Sequence, residues 1–174
     1  MERIIAIIED INRPGIDKVI EFLRASDFAT ASCYEHHKYS GGVVDHSLEV
    51  YNLMLEAKDD LPEDSIAICA LLHDLGKSKC RGFSCTGKHP ERSVKLLKLC
   101  GFQLTQDEEF AIANHHVTDL SFFGHPLRSL LSAGDIKSSN MWEEKHPKPS
   151  QKTTRKIAND LLLMFSEKRL RIKR

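Results

Sequence analysis

Residues Ile66-Ala67-Ile68-Cys69-Ala70-Leu71-Leu72 form an unbroken apolar run that ends on His73-Asp74. A run of this kind needs burial on every side, so it reads as a core helix or a buried strand. The histidine and carboxylate at its end are then held against that core. Buried charges are tolerated chiefly when they are paired or bind a metal. The dyad therefore points to a metal site, and the chain supplies side chains of matching chemistry in His46, His89, His115, His116 and Asp135.

The pattern around the run is helical. Ile4, Ile5, Ile8 and Ile11 make one helical face, ended by Asn12-Arg13-Pro14-Gly15, and Ile16, Val19, Ile20 and Leu23 make a second. Residues 27–42 read as a polar loop ending in Gly41-Gly42, before a helix from Val43 to about Lys58. Pro62 opens a helix expected to run to Gly76, and residues 78–88 form a loop. A further helix is expected from His89 to Cys100, with Gly101 as its cap. Thr105-Gln106-Asp107-Glu108 has capping-box form and starts a helix that carries His115. Pro126 opens another toward Gly134 or beyond, and residues 143–152 read as a Lys/Pro-rich connector. With no internal repeat and no alternating pattern, the fold class is all-α.

At 174 residues the chain is long enough for one domain with a sizeable core. It has no apolar stretch long enough to span a bilayer and no signal-peptide pattern after Met1-Glu2-Arg3, so no membrane contact is expected. Five irregularly spaced cysteines favour reduced thiols and a cytoplasmic location. Cys80 and Cys85 read as thiols rather than half of a zinc site. The charge is uneven: residues 1–144 carry 15 basic and 23 acidic side chains, residues 145–174 carry 10 and 2. Such a basic tail can contact nucleic acid. Ile157, Leu161, Leu162 and Phe165 form an apolar stripe within it, which favours docking on the acidic body or on a second subunit.

The order H…HD…H…HH…D, over about residues 30 to 140, resembles the HD-domain superfamily of metal-dependent phosphohydrolases. An HD pair alone is weak. Here it is followed by Gly76-Lys77, preceded by Gly41-Gly42 and His46, and completed by Asp135. The resemblance implies an HD-type helical bundle with a metal site in its core. That domain would take residues 1–144, with residues 145–174 as a basic connector and helix packed on it. The family pattern further implies one ion held by His46, His73, Asp74 and Asp135, and a second by Asp74, His89 and His115. His116 is either a further ligand or a hydrogen-bond donor to substrate. Adjacent helical residues point roughly 100° apart, so Asp74 can use both oxygens to reach two ions while His73 binds one. Imidazole and carboxylate without thiolate suit iron, manganese, nickel, cobalt or zinc. Relatives favour iron or manganese, as one ion or two.

The lead-in His36-His37-Lys38-Tyr39-Ser40-Gly41-Gly42 is similar to that of small bacterial and phage HD hydrolases, which makes His36 and Tyr39 candidates for substrate contact. The cyclic-dinucleotide phosphodiesterases of the superfamily carry Gly-Tyr-Pro after their paired histidines. This chain has Gly124-His125-Pro126, one residue late and without the tyrosine, which places cyclic-di-GMP below other phosphoesters.

The expected function is a phosphohydrolase cleaving a phosphoester of a nucleotide or short oligonucleotide with a metal-activated water. Asp74 and Lys77 carry the catalysis, Lys77 by neutralising a phosphate oxygen, and Arg92 is a second phosphate clamp. A solvated helix-end cation is the plain alternative for Lys77. Asp45 and Glu49 belong on a solvated face or behind the ligands. Two other classes stay open: a nuclease acting with a partner through the basic tail, and a metal-containing nucleotide-binding module without turnover. A homo-oligomer is compatible with either.

Overall fold

Every residue from Ser65 to Leu72 is buried, and the other helices are arranged around that segment. In a computed structural model of the chain, residues 1–80, 82, 85–116 and 124–147 are described. The chain divides into two compact units, Met1–Trp142 and Glu143–Arg174, and of the second only residues 143–147 are described. The apolar stripe from Ile157 to Phe165 lies outside the described residues.

Seven α-helices and one 3-10 turn make up the described fold, with no strand among the described residues. They are α1 (Glu2–Glu9), α2 (Ile16–Ala25), α3 (Gly42–Glu56), α4 (Glu63–Leu72), a 3-10 turn over Leu75–Lys77, α5 (His89–Leu99), α6 (Gln106–Asn114) and α7 (Pro126–Lys145). No helix among the described residues is long and apolar enough to cross a membrane. The fold is all-α, as the periodicity predicts.

A helix apolar on all sides needs neighbours on all sides, and α1, α3 and α6 pack against α4. Ile66, Ile68, Leu71 and Leu72 are fully buried there. Each such side chain contributes roughly 1.5–3 kcal/mol relative to exposure. One polar latch crosses the core. Glu108, in the first turn of α6, is fully buried and receives Arg13 at 2.7 Å and the Ser65 hydroxyl at 2.6 Å. Thr105 completes the capping box with it.

Two departures from expectation bear on the site. The helix opened by Pro62 stops at Leu72 instead of continuing to Gly76. Lys77 N–H bonds to Asp74 in 3-10 fashion at 2.9 Å, while the Ser93 hydroxyl donates to the His73 carbonyl at 2.5 Å and accepts from Gly76 N–H at 2.8 Å. A serine on α5 thus takes the backbone groups that a longer helix would have paired internally. The second departure is α7, which is helical through Lys145 and so includes the start of the expected connector.

Candidate metal centre

α3 brings His46 to the centre. Its N-terminal turn uses Gly41 at φ 88°, and a Cβ on Gly42 would lie 1.9 Å from the His37 carbonyl oxygen. Only glycine lets the preceding loop pass so close. His46 is fully buried, with Nδ1 2.9 Å from the Ser138 hydroxyl of α7. Ser138 gives its one hydrogen to Glu49 at 2.6 Å. It can therefore only accept from His46, which places the proton on Nδ1 and the lone pair on Nε2.

The same logic fixes two more rings. His73, at the exit of α4, donates Nδ1–H to the Ala70 carbonyl at 2.9 Å, and His115, at the end of α6, donates to Ile112 at 2.7 Å. A carbonyl only accepts, so both rings keep a lone pair on Nε2. Holding the second ring nitrogen in this way is how metal-binding imidazoles are oriented.

These lone pairs meet oxygens. His46 Nε2 lies 3.1 Å from Asp135 Oδ1 and 3.8 Å from Asp74 Oδ2, and His73 Nε2 lies 3.5 Å from Asp74 Oδ2. Among the described residues, His46 Nε2, His73 Nε2, His115 Nε2 and Asp74 Oδ1 are buried with no hydrogen-bond partner. Acceptors packed against acceptors are costly unless a cation lies between them. The donor set fits a divalent metal. Two triads place one donor atom from each residue within 4.8 Å of the others: His46, His73 and Asp135, and His73, Asp74 and His115. His89, His115 and His116 form another such group.

Electrostatics keep the donors in their ligating forms. Burial pushes His115 down to about 3 and His89 down to about 4, and lowers His73 as well. Burial opposes ionisation of Asp74, yet the charges around it, the Lys77 ammonium 2.5 Å away among them, hold its carboxyl well below the usual range. Asp135 is likewise lowered against the effect of burial.

The remaining sequence candidates fall around this centre. His89 is half-buried, with Nε2 3.4 Å from Asp74 Oδ1 and 3.1 Å from His116 Nε2. His116 is exposed and lies 3.6 Å from Asp135 Oδ2. Lys77 lies inside the site, its ammonium 2.5 Å from Asp74 Oδ2. The His36 ring stands 4.5 Å from that of His46. Tyr39 is exposed and donates its hydroxyl to Asp45 at 2.8 Å. Arg92 turns its head to the Ser78 carbonyl at 3.3 Å and lines a cavity of about 190 Å³ with Lys79, Cys80 and Cys85.

Sequence reading did not single out Ser138, Ser93 or Ser132. The Ser132 hydroxyl donates to the His115 carbonyl at 2.6 Å and ties α7 to the end of α6. No local signal marks such serines. Ser138 lies one turn beyond Asp135, and that spacing is the only hint.

Residues 43–121 match the HD domain family model. The matched stretch includes His46, His73, Asp74, His89, His115 and His116, and α7 adds Asp135 from outside it. The chain is also 34% identical over 100 residues to the dihydroneopterin 2',3'-cyclic phosphate phosphodiesterase of Methanocaldococcus jannaschii. That match spans 44% of this chain and 40% of the relative's length. No solved structure matches the chain.

Proposed function

We propose that the chain is a metal-dependent phosphohydrolase that opens a cyclic phosphodiester on a small ring-bearing substrate, nucleoside-like or pterin-like. The observation that carries this reading is the convergence of His46, His73, His115 and Asp74 through buried acceptor atoms that lack a donor. The relative's activity supports a diester over a monoester. In this reading His46, His73, Asp74 and Asp135 hold one divalent ion and Asp74, His89 and His115 a second, with iron or manganese favoured by the mixed imidazole and carboxylate donors. A divalent ion so held supplies Lewis acidity for phosphoester hydrolysis.

The chain's own residues do the rest. Lys77 keeps Asp74 anionic. His116, on the exposed side of the site, donates from its ring to a phosphate oxygen, and His36 and Tyr39 border the same approach. Water adds to phosphorus, one ring P–O bond breaks, and the released oxygen takes up a proton to leave a phosphomonoester and a free hydroxyl. The test uses the purified chain loaded with iron(II) or manganese(II). Phosphorus NMR would follow nucleoside 2',3'-cyclic phosphates and dihydroneopterin 2',3'-cyclic phosphate. Conversion to a monoester by the native chain, absent in Asp74→Ala, is expected. No conversion of any cyclic diester with either metal would overturn the reading.

A further inference from the structure

The HD centre leaves His37 without a role and gives His36 only a place at the border of the approach. Yet one nitrogen from each of His36, His37 and His46 lies within 4.8 Å of the others. The Nδ1 atoms of His36 and His37 are 3.0 Å apart, and the His37 ring stands 5.4 Å from that of His46. The loop carrying them is held firmly. His37 is 5% exposed and adopts a left-handed φ of 44°. Its carbonyl accepts from Tyr39 N–H at 2.9 Å and rests against Gly42. A non-glycine residue keeps such a backbone only where its surroundings enforce it.

Glu49 lies 3.5 Å from His37 Nε2 and also receives the Ser138 hydroxyl that orients His46. One carboxylate therefore stands behind two of the three rings. With Nε2–H of His37 turned to Glu49, its Nδ1 lone pair faces His36. In a protein without metal here, His36 would donate to that lone pair.

We propose that His36, His37 and His46 form an outer, imidazole-only metal position beside the HD centre, suited to zinc, cobalt, nickel or copper(II). The three donors include no carboxylate, so hard ions such as magnesium and calcium are disfavoured and the late first-row ions preferred. Sharing has a consequence, which rests on the proposed HD centre. His46 spends Nδ1–H on Ser138, so Nε2 is its single lone pair, and that atom already lies 3.1 Å from Asp135 Oδ1 of the inner group. Outer and inner occupancy through His46 are mutually exclusive, and excess zinc or cobalt withdraws His46 from the HD centre.

Cobalt(II) titration by calorimetry and visible absorption tests this in the full chain carrying Asp74→Asn and Asp135→Asn, which remove the competing carboxylates with little change in shape. Any ion left on His89, His115 and His116 is common to both variants and cancels in the comparison. Adding His36→Ala is expected to lower the stoichiometry by one ion per chain. Unchanged stoichiometry would overturn the outer position. A second measurement avoids the double substitution: manganese-loaded native chain and His36→Gln are titrated with cobalt while released manganese is counted. His36→Gln is expected to need at least tenfold more cobalt for the first released ion, and coincident curves would equally overturn the proposal. Failure of the HD reading looks different, since Asp74→Ala in the otherwise native chain would then keep its full metal content.

Discussion

Lys77 holds one oxygen of Asp74 and leaves the other to His89. Its ammonium lies 2.5 Å from Oδ2, while Oδ1 is buried without a hydrogen-bond partner and lies 3.4 Å from His89 Nε2. The lysine thus supplies a permanent counter-charge for a carboxylate that burial alone would protonate.

Lys77→Met should expose that dependence. Removing one partner of a buried pair costs about 3–5 kcal/mol, so the metal-free variant should melt well below the native chain. Added manganese should recover most of the difference, because a cation would replace the lost charge. Calorimetry with and without metal checks this. An equal deficit in both conditions would mean that Lys77 acts on packing alone.

Ser138→Ala cuts the link from Glu49 to His46 without touching a proposed ligand. Loss of such an outer hydrogen bond typically costs 10–100-fold in metal affinity. A drop of about tenfold in manganese affinity at unchanged helix content is expected from calorimetric titration and circular dichroism. Glu49→Gln should fall between native and Ser138→Ala, since an amide oxygen still accepts from the serine.

Much of this arrangement is legible in the chain, and the reason is local. The helical periods place α1 to α6, the capping box places the start of α6, and the apolar run before His73 marks the buried helix. What escapes is set by partners distant in sequence. The end of α4 at Leu72 is decided by Ser93, twenty residues beyond the His73 carbonyl that it binds. Lys77 and Arg92 read alike as phosphate clamps. The fold gives Lys77 to Asp74 and turns Arg92 to Ser78, because the 3-10 turn aims one inward and α5 aims the other along the loop.

The Arg13–Glu108 pair gives a pH prediction. Burial alone would raise the Glu108 carboxyl, but Arg13, Ser65 and Thr105 hold it below its ordinary value. A carboxyl depressed in the folded state contributes stability that is complete above its unfolded value, near 4.5, and is lost as pH falls through the folded one. Glu108→Gln should therefore be less stable than the native chain at pH 7, by about 3 kcal/mol. The gap should narrow as pH falls below about 4.5. Denaturant melts across that range would show it, and a gap independent of pH would assign Glu108 to packing.

Gly76 and His89 provide the sharpest steric test. A Cβ at Gly76 would lie 2.2 Å from the His89 carbonyl oxygen and 2.9 Å from the Ser93 amide nitrogen. Both neighbours are backbone, so neither can swing aside, and α5 would have to retreat from the 3-10 turn. That retreat carries His89 away from Asp74 Oδ1 and breaks the Ser93 bridge to the His73 carbonyl. Gly76→Ala should cost about 1–3 kcal/mol as an overpacked contact. It should also lose the ion proposed at Asp74, His89 and His115 while keeping the one at His46, His73, Asp74 and Asp135. Elemental analysis of the folded variant after manganese loading checks this: one ion where the native chain holds two. A full complement of two would mean that the second position does not depend on the close approach of α5.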